Sequence, residues 1–346
     1  MALYDVVKIF VLATLSFGIA FWLTPILTHF LFKYKMGKTI RDSSVAPIAS
    51  NLHKAKSGTP TMGGILIWFT VLLLAVLFYY GDRLFGWEVF KFLNFLSRSQ
   101  TLLPLGALVA SALVGLVDDW FNVKKIGPAG GGLSIRHRLL IYSAIAAVGA
   151  WWFYYKLEWD VIHVPFLGNF NIGIWYIPLF IFIIAATSFS VNETDGLDGL
   201  AGGTLLAAFS AYVAIALVQG KTDLAVFCAA IVGALLAFLW FNINPARFFM
   251  GDTGAMSLGV TLGIVALLTN TVILLPLFGF VFMMESFSVI IQMTSKKIRN
   301  KKVFLSSPIH HHFEALGWPE AKIVMRFWII SAVTTVIGLI MFLIDK

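Results

Sequence analysis

Apolar residues in this chain are gathered into segments long enough to cross a bilayer, and this limits the fold more than any other feature. Charged residues make up 12% of the 346 residues, whereas soluble domains contain about 25%. A membrane helix needs roughly 20 apolar residues, and a β-barrel would show short alternating strands instead. The segments lie at about 6–32, 63–80, 102–117, 139–155, 172–191, 200–218, 224–241, 254–270, 272–292 and 323–344. The sequence therefore predicts an all-α integral membrane protein with about ten transmembrane helices.

Positive charge is unevenly distributed among the loops that join these segments. Most of the 25 Lys and Arg residues lie in loops that follow odd-numbered segments. Because cytoplasmic loops carry an excess of Lys and Arg, these loops are predicted to be cytoplasmic and both termini periplasmic. The carboxylates and histidines suited to chemistry fall in the same loops, and no soluble domain is recognisable. Residues 1–346 are thus predicted to form one polytopic domain with its active site on the cytoplasmic face.

An acidic, glycine-rich stretch, NETDGLDGLAGG at residues 192–203, connects the fifth and sixth segments. Ionised side chains are costly in hydrocarbon, so this connection lies at the water interface or lines a wet cavity. Asp195 and Asp198 are three residues apart and would share one face if the sixth helix begins here. Helix N-terminal amides bind anions, while the acids suit a metal or a base and ribose. The alternative is that one of these aspartates caps the sixth helix.

Two further acidic motifs are predicted to lie on the same face. Asp118 and Asp119 end the third segment, where they can share a divalent cation or divide binding and base catalysis between them. The alternative, a solvated pair that ends the helix, is disfavoured by the helix dipole. Asp252 lies between Gly251 and Gly254 at the start of the eighth segment. A lone carboxylate there suits Mg²⁺ bound with substrate phosphates, and the alternative is a helix N-cap.

Basic and aromatic residues complement these acids. Lys56, in the glycine-rich loop 53–64, is consistent with an anion site, although positive-inside topology also explains it. Phe249 could stack on a base or pack in the core. His310, His311 and His312 cannot all face one metal in a helix, but they suit proton transfer or hydrogen bonding to phosphate. Glu285, inside the ninth segment, needs a partner or a wet cavity.

Together these residues indicate phosphoryl transfer at a membrane surface. That reaction needs charge neutralisation and in-line positioning more than covalent chemistry. A lipid phosphate as one reactant would explain why the site is in a membrane. Either its oxygen attacks directly, which we favour, or the reaction passes through an aspartyl-phosphate. A divalent-cation or anion transporter is the alternative from another class, but its acids would lie at the membrane midplane.

The motifs also resemble those of a known enzyme family. They are GTPTMGG at 58–64, LVGLVDD at 113–119, NETDGLDGLAGG at 192–203, NPARFFMGDTGAMSLG at 244–259 and SPIHHHFEALGWPE at 307–320. The set resembles the phospho-N-acetylmuramoyl-pentapeptide transferases, a branch of the polyprenyl-phosphate N-acetylhexosamine-1-phosphate transferases. The histidine motif followed by GWPE distinguishes this branch from the sister transferases that use UDP-N-acetylglucosamine.

The resemblance implies a multi-pass enzyme of the bacterial inner membrane, a homodimer that uses Mg²⁺ and does not bind nucleic acid. Such an enzyme transfers phospho-MurNAc-pentapeptide from UDP-MurNAc-pentapeptide to undecaprenyl phosphate, which yields lipid I for peptidoglycan synthesis and releases UMP. The sister reaction with UDP-N-acetylglucosamine is the nearest alternative.

The same resemblance implies roles for individual residues. Asp252 is the Mg²⁺ ligand, Asp118 a base for the lipid phosphate, and Asp119 its support. The uridine and diphosphate pocket is lined by Lys56, Asn192, Asp195, Asp198, Asn242, Phe249 and Gly251. The sugar-phosphate side is lined by His310, His311 and His312. Family members carry Lys where this chain has Asn122 and near Arg138, so Lys124, Lys125 and Arg138 are expected to supply the phosphate-binding charge.

Overall fold

Helices make up most of the chain in the computed structural model, which describes residues 3–37, 56, 58–127 and 131–345. In chain order they are α1 (Leu3–Lys33), α2 (Ile65–Phe85), α3 (Glu88–Leu93), α4 (Leu102–Val123), α5 (Ile135–Trp151), α6 (Tyr176–Thr194), α7 (Leu200–Val218), α8 (Thr222–Asn242), α9 (Gly251–Leu268), α10 (Leu275–Phe278), α11 (Phe280–Arg299), α12 (Ile309–Ala315) and α13 (Glu320–Ile344). An antiparallel hairpin, β1 (Val161–Val164) and β2 (Gly168–Asn171), separates α5 from α6. The predicted helical membrane class is confirmed, and the hairpin is an addition that hydropathy did not predict.

Within the described residues, eight helices are long and apolar enough to cross a membrane. They are α1, α2, α4, α6, α7, α8, α9 and α13. A further candidate span consists of Val272–Phe278 and Phe280–Arg299, whose two parts are bent by 87°. The predicted fourth segment, 139–155, corresponds to the 17-residue α5 and the π-helical turn Trp152–Lys156 that follows it. The total of ten spans and the periplasmic termini stay predictions.

Helix α9 lies at the centre of the bundle, and every one of its residues except Asp252 is buried. It packs against α4 and α6 at very short range. A Cβ atom on Gly115 of α4 would lie 2.4 Å from the carbonyl oxygen of Asp252. Similarly, a Cβ atom on Gly259 of α9 would lie 2.7 Å from the Cα atom of Ser188 in α6. Small residues at such contacts let helix backbones approach closely, which brings the polar ends of these three helices together.

The polar residues of the bundle are concentrated at what we call its acidic end, which carries Asp118, Asp195, Asp198 and Asp252. The C-terminal ends of α4, α6 and α8 meet the N-terminal ends of α7, α9 and α13 there. The hairpin lies at the opposite end, where the His163 amide donates to Asn270 Oδ1 at 3.0 Å. Convergence of the predicted acids on one end of the bundle is therefore confirmed.

One predicted helix boundary at the acidic end is wrong, and the other is confirmed. Helix α4 does not end at Asp118 and Asp119 but continues to Val123, since both carboxylates are buried and bonded to other elements rather than solvated. Helix α7 begins at Leu200, the predicted start of the sixth segment, after Gly199 with its left-handed φ of 81°. Asp195 and Asp198 therefore lie in the preceding turn, share no helical face, and do not cap α7.

Candidate active site

The guanidinium of Arg138, in the first turn of α5, joins three acidic or polar side chains at the acidic end. Its Nε atom lies 2.8 Å from Asp118 Oδ2 in an ion pair. Its Nη2 atom donates to Asp252 Oδ2 at 2.9 Å, and its Nη1 atom donates to Asn192 Oδ1 at 2.9 Å. Asn192 in turn donates from Nδ2 to Asp252 Oδ1. One cation thus connects the ends of α4, α6 and α9.

The adjacent aspartates of α4 face different partners. Asp118 points to Arg138 and accepts a hydrogen bond from the amide of Leu133 through Oδ1. Asp119 points to the start of α9, where Oδ2 accepts from the Thr253 amide at 3.0 Å, and Oδ1 accepts from Thr61 Oγ1 at 3.2 Å. The first amides of a helix have no intrahelical acceptor, so Asp119 holds the helix turn that carries Asp252.

Gly251 and Asp195 complete this turn. Gly251 has a left-handed φ of 74°, and a Cβ atom there would lie 2.5 Å from Asp119 Oδ2 and 2.5 Å from Thr61 Oγ1. Its amide donates to Asp195 Oδ2 at 3.1 Å. Asp252 itself is the second residue of α9 and follows Met250 as N-cap. The capping alternative for Asp252 is therefore wrong, because other side chains satisfy the start of this helix.

A second cluster surrounds Lys56, beside the first. Lys56 Nζ donates to Asp198 Oδ1 at 2.7 Å and also to Glu320 Oε1, the first residue of α13. Glu320 Oε1 also accepts from the Asp198 amide at 2.7 Å, and Asn244 donates to both carboxylates at 3.0 Å. The ammonium lies 5.9 Å from the ring centroid of Phe249. Charged groups from three distant segments thus meet here, and the ammonium among them lies beside a partly exposed aromatic ring.

Asn242, the last residue of α8, supports both clusters from behind. Its Oδ1 atom accepts from the Gly199 amide at 3.0 Å, and its Nδ2 atom donates to the Phe248 carbonyl at 2.8 Å. Asn242 is buried, so it fixes the start of α7 and the loop that carries Phe249 from beneath.

The three histidines lie on the short helix α12 and have separate partners. His310 and Glu285 are fully buried, with His310 Nδ1 3.0 Å from Glu285 Oε2. Burial alone lowers the pKa of His310, but the Glu285 carboxylate overrides this and raises it above the ordinary 6.5. His311 Nδ1 lies 2.6 Å from Glu314 Oε2, and His312 Nδ1 accepts from the Leu305 amide at 3.2 Å. Glu285 thus has the partner that its position inside an apolar segment required.

His310 also contacts the acidic stretch directly. A Cβ atom placed on Gly196 would lie 2.2 Å from His310 Nε2, so only glycine fits between Asp195 and the imidazole ring. The histidine helix therefore packs against the same turn that presents Asp195 and Asp198.

Comparison with known proteins now decides the family. Residues 101–270 match the model of glycosyl transferase family 4, and residues 56–67 match signature 1 of the phospho-N-acetylmuramoyl-pentapeptide transferases. A phospho-N-acetylmuramoyl-pentapeptide-transferase of Chloroflexus aggregans is 38% identical over 98% of this chain and 91% of its own length. Proteins of the same name from Geobacillus thermodenitrificans and Anoxybacillus flavithermus are 39% and 38% identical over 94% of this chain, covering 94% and 95% of their own lengths. The chain belongs to the phospho-N-acetylmuramoyl-pentapeptide transferase family.

Most of the residues singled out by the resemblance meet at the acidic end, but Lys124 and Lys125 do not. Lys125 lies exposed in the turn after α4, with a φ of 57°, as does Lys124 beside it. Of the three cations expected to compensate for Asn122, it is Arg138 that reaches the carboxylates of this transferase. His53 and Lys54 of loop 53–64 lie outside the described residues.

A divalent metal is compatible with the donor set of this transferase, although its carboxylates are not arranged around one. Among the described residues, no group of three or more His, Cys, Asp or Glu side chains is arranged to hold a metal ion. Mg²⁺ usually takes only one or two carboxylates and completes its shell with substrate phosphates and water. Asp118 and Asp252 already converge on one cation, Arg138, and the buried Asp118 Oδ2 accepts no hydrogen bond from the described residues. Carboxylate oxygens are the hard donors that Mg²⁺ prefers.

Three residues of the site had no predicted role. Glu320 ends the GWPE motif and binds Lys56, while Asn244 begins the NPARFF motif and binds Asp198 and Glu320. Thr61 lies in the GTPTMGG motif and binds Asp119. Each lies within a motif of the transferase family, so motif membership is the signal that could have singled them out.

Proposed function

We propose that this protein transfers phospho-MurNAc-pentapeptide from UDP-MurNAc-pentapeptide to undecaprenyl phosphate, with lipid I and UMP as products. The observation that carries the proposal is the meeting of the family's acidic motifs around Arg138, in a chain whose relatives align almost end to end. A site of this kind in the bacterial inner membrane lies where a lipid-linked phosphate and a soluble nucleotide meet. The homodimer expected from the resemblance is part of the same proposal.

The reaction is a substitution at phosphorus. An oxygen of the lipid phosphate forms a bond to the phosphorus that carries the sugar, and the bond from that phosphorus to the UMP oxygen breaks. UMP leaves with the electron pair. The attacking oxygen is already anionic, so it needs charge neutralisation and alignment rather than deprotonation. Direct attack is favoured over an aspartyl-phosphate because Asp118 and Asp119 are both engaged in fixed contacts.

The metal-binding part of the proposal concerns Asp252 and Asp118. These carboxylates would hold Mg²⁺, which when bound neutralises charge on the diphosphate and on the leaving UMP. Arg138 adds a second positive charge at the same place, and a guanidinium fork matches phosphate oxygens well. Asn192 orients both Asp252 and Arg138 through hydrogen bonds.

The nucleotide is proposed to bind beside this pair of acids. Phe249 offers a ring on which uracil can stack, and the neighbouring Lys56 offers an ammonium for phosphate. Asp195 and Asp198 accept hydrogen bonds from the amides on either side of the loop that carries Phe249, and Asn242 donates to the carbonyl of Phe248 in that loop. His310, with its raised pKa, would stay protonated towards neutral pH and support the sugar-phosphate side, together with His311 and His312.

UMP release by the purified protein in lipid nanodiscs tests the proposal. With Mg²⁺, UDP-MurNAc-pentapeptide and undecaprenyl phosphate, we expect release by the wild type and a loss of at least about a hundredfold for Asp252→Asn. Glu88→Gln removes an exposed carboxylate at the opposite end of the molecule and is the control. Release only with UDP-N-acetylglucosamine would assign the sister reaction, and full activity of Asp252→Asn would refute the metal assignment.

A further inference from the structure

Arg138 holds the place that a divalent cation would take between Asp118 and Asp252. Its side chain is 17% exposed, and those of Asp118 and Asp252 are 0% and 15% exposed. Two carboxylates so poorly hydrated and so close together need a positive charge between them. The guanidinium supplies that charge in the protein without any ligand.

The contacts of Asp252 place the guanidinium where it would compete with a metal ion. Its Oδ2 atom accepts from Arg138 Nη2 at 2.9 Å, and its Oδ1 atom accepts from Asn192 Nδ2. Mg²⁺ binds carboxylate oxygens at about 2.1 Å, so a metal on Oδ2 would lie against the guanidinium and be repelled by it. The two cations therefore compete for this carboxylate.

We propose that Arg138 is the resident counter-ion of Asp118 and Asp252, and that a divalent cation binds by displacing it from Asp252. The inference rests on the proposed Mg²⁺-dependent transfer. Asp118 is fully buried whereas Asp252 is 15% exposed, so the contact with Asp252 is the half of the fork that a metal ion from solvent reaches first. The displaced guanidinium keeps its charge beside the site, where it can bind an oxygen of the diphosphate.

The choice of arginine is part of the inference. A lysine carries a single nitrogen and cannot bind Asp118, Asp252 and Asn192 through three separate atoms. Lysine at position 138 would therefore hold the two carboxylates less firmly and yield more readily to a metal. This chain is expected to bind divalent cations more weakly than its Arg138→Lys variant.

Mn²⁺ binding measured by electron paramagnetic resonance tests the exchange without reference to activity. The full chain in nanodiscs is titrated with Mn²⁺ in the absence of nucleotide. Arg138→Gln, which removes the competing charge, is expected to bind Mn²⁺ about tenfold more tightly than the wild type, and Arg138→Lys about threefold. Arg136→Gln removes an exposed charge two residues earlier in α5 and should change the affinity less than twofold.

The outcomes separate the exchange from the metal assignment. If Asp252→Asn abolishes Mn²⁺ binding but both Arg138 variants bind like the wild type, the metal assignment stands and the exchange is overturned. If Asp252→Asn binds Mn²⁺ like the wild type, the metal assignment of the proposed function fails, and the exchange fails with it. Should Arg138→Gln not elute as a folded protein, Arg138→Lys, which keeps the charge, decides the result.

Discussion

Glu285 and His310 form a pair of ionisable side chains from which water is excluded. Each carries a cost of burial that the other offsets, and a single buried charge without its partner would be strongly destabilising. Glu285 belongs to α11 and His310 to α12, so the pair fixes the histidine helix against the bundle. Gly196 covers the other side of the ring. A residue inside an apolar segment thereby sets the charge of a side chain at the site.

Neutralising Glu285 should change the pH dependence of the reaction. The pKa of His310 is raised above 6.5 by Glu285 in spite of burial, which lowers it. A raised pKa means that the stabilising, protonated form is complete below pH 6.5 and is lost as the pH rises through the folded-state value. In Glu285→Gln the largest effect that raises this pKa is lost, and burial is opposed only by the weaker effects of Glu314 and Glu193. The alkaline limb of kcat/KM for UMP release should therefore move to lower pH.

The Glu314→Gln variant serves as a graded comparison. The Glu314 carboxylate acts on His310 less than Glu285 does and contacts His311 instead. The alkaline limb of kcat/KM should therefore move less in Glu314→Gln than in Glu285→Gln. Superimposable pH profiles for the wild type and Glu285→Gln would contradict the protonated state that we assign to His310.

At the scale of elements, the site is built from helix ends that side chains of other helices complete. Asp119 of α4 accepts from the Thr253 amide in the first turn of α9, and Asn242 of α8 accepts from the Gly199 amide before α7. Glu320 of α13 accepts from the amide of Asp198. A helix start buried in a protein needs such acceptors for its free amides. The loops that carry Asp195, Asp198 and Phe249 are therefore fixed before substrate binds.

Glu320 gives this arrangement a measurable consequence. Glu320→Gln would release Lys56 from one of its two carboxylates and weaken the acceptor of the Asp198 amide. Because Glu320 positions nucleotide-binding groups rather than reacting atoms, KM for the UDP substrate should rise about tenfold while kcat changes less than twofold.

Lys322→Gln, in the same turn of α13, is the control for Glu320→Gln, since it removes an exposed charge near Trp318. A fall in kcat at unchanged KM for Glu320→Gln would show that Glu320 acts on the chemistry itself. The steady-state parameters of both variants are compared in the same UMP-release assay.

The apolar pattern predicted the elements of the bundle core well. The predicted segments 200–218 and 224–241 match α7 and α8, and the break at Asn270 separates α9 from the bent pair that follows. The pattern misplaced the end of α4, because Asp118 pairs with Arg138 and Asp119 accepts a hydrogen bond from the Thr253 amide, and both partners belong to other helices. The 87° bend and the hairpin were missed for the same reason, as tertiary packing and not local composition decides them.

For the site, too, the sequence predicted some features and missed others. Charge distribution predicted that Asp118, Asp195, Asp198 and Asp252 would share one face, and they do share one end. Their partners could not be predicted from spacing, since Arg138 and Asp252 are 114 residues apart. Which of several nearby cations reaches the carboxylates depends on the direction in which α5 begins.

At the scale of the whole molecule, the hairpin contacts Asn270, after α9, and Asp345, after α13, at the end opposite the acids. His163 of β1 contacts Asp345, the residue after α13, and the Phe166 amide donates to the same carboxylate. His163, Asn169, Asn270 and Asp345 line a cavity of about 280 Å³ there. The C-terminal helix, which reaches the site through Glu320, is thus held at both of its ends.

The contact between His163 and Asp345 should make stability depend on pH. Its hydrogen bonds raise the pKa of His163 above 6.5 and lower that of Asp345 below 3.8. The histidine contribution is complete below pH 6.5 and is lost as the pH rises through the raised pKa. The aspartate contribution is complete above pH 3.8 and is lost as the pH falls through the lowered pKa.

Asp345→Asn is therefore expected to lower Tm most between about pH 4 and 6.5, and to differ little from the wild type near pH 9. Asp160→Asn, which removes another carboxylate bonded within the hairpin region, is the matched control and should show no such window. A constant difference in Tm from pH 5 to pH 9 would argue against a charged pair at this position.

The burial of α9 has a consequence for how the chain enters the membrane. Of the eight long apolar helices described, α9 is the least apolar, and Thr253, Ser257 and Thr261 point into its packed surroundings. Such a helix gains little from lipid alone and depends on neighbouring helices. The two helices that cover it most closely, α4 and α6, are synthesised before it. The chain order therefore brings α9 out of the ribosome after the two helices that cover it.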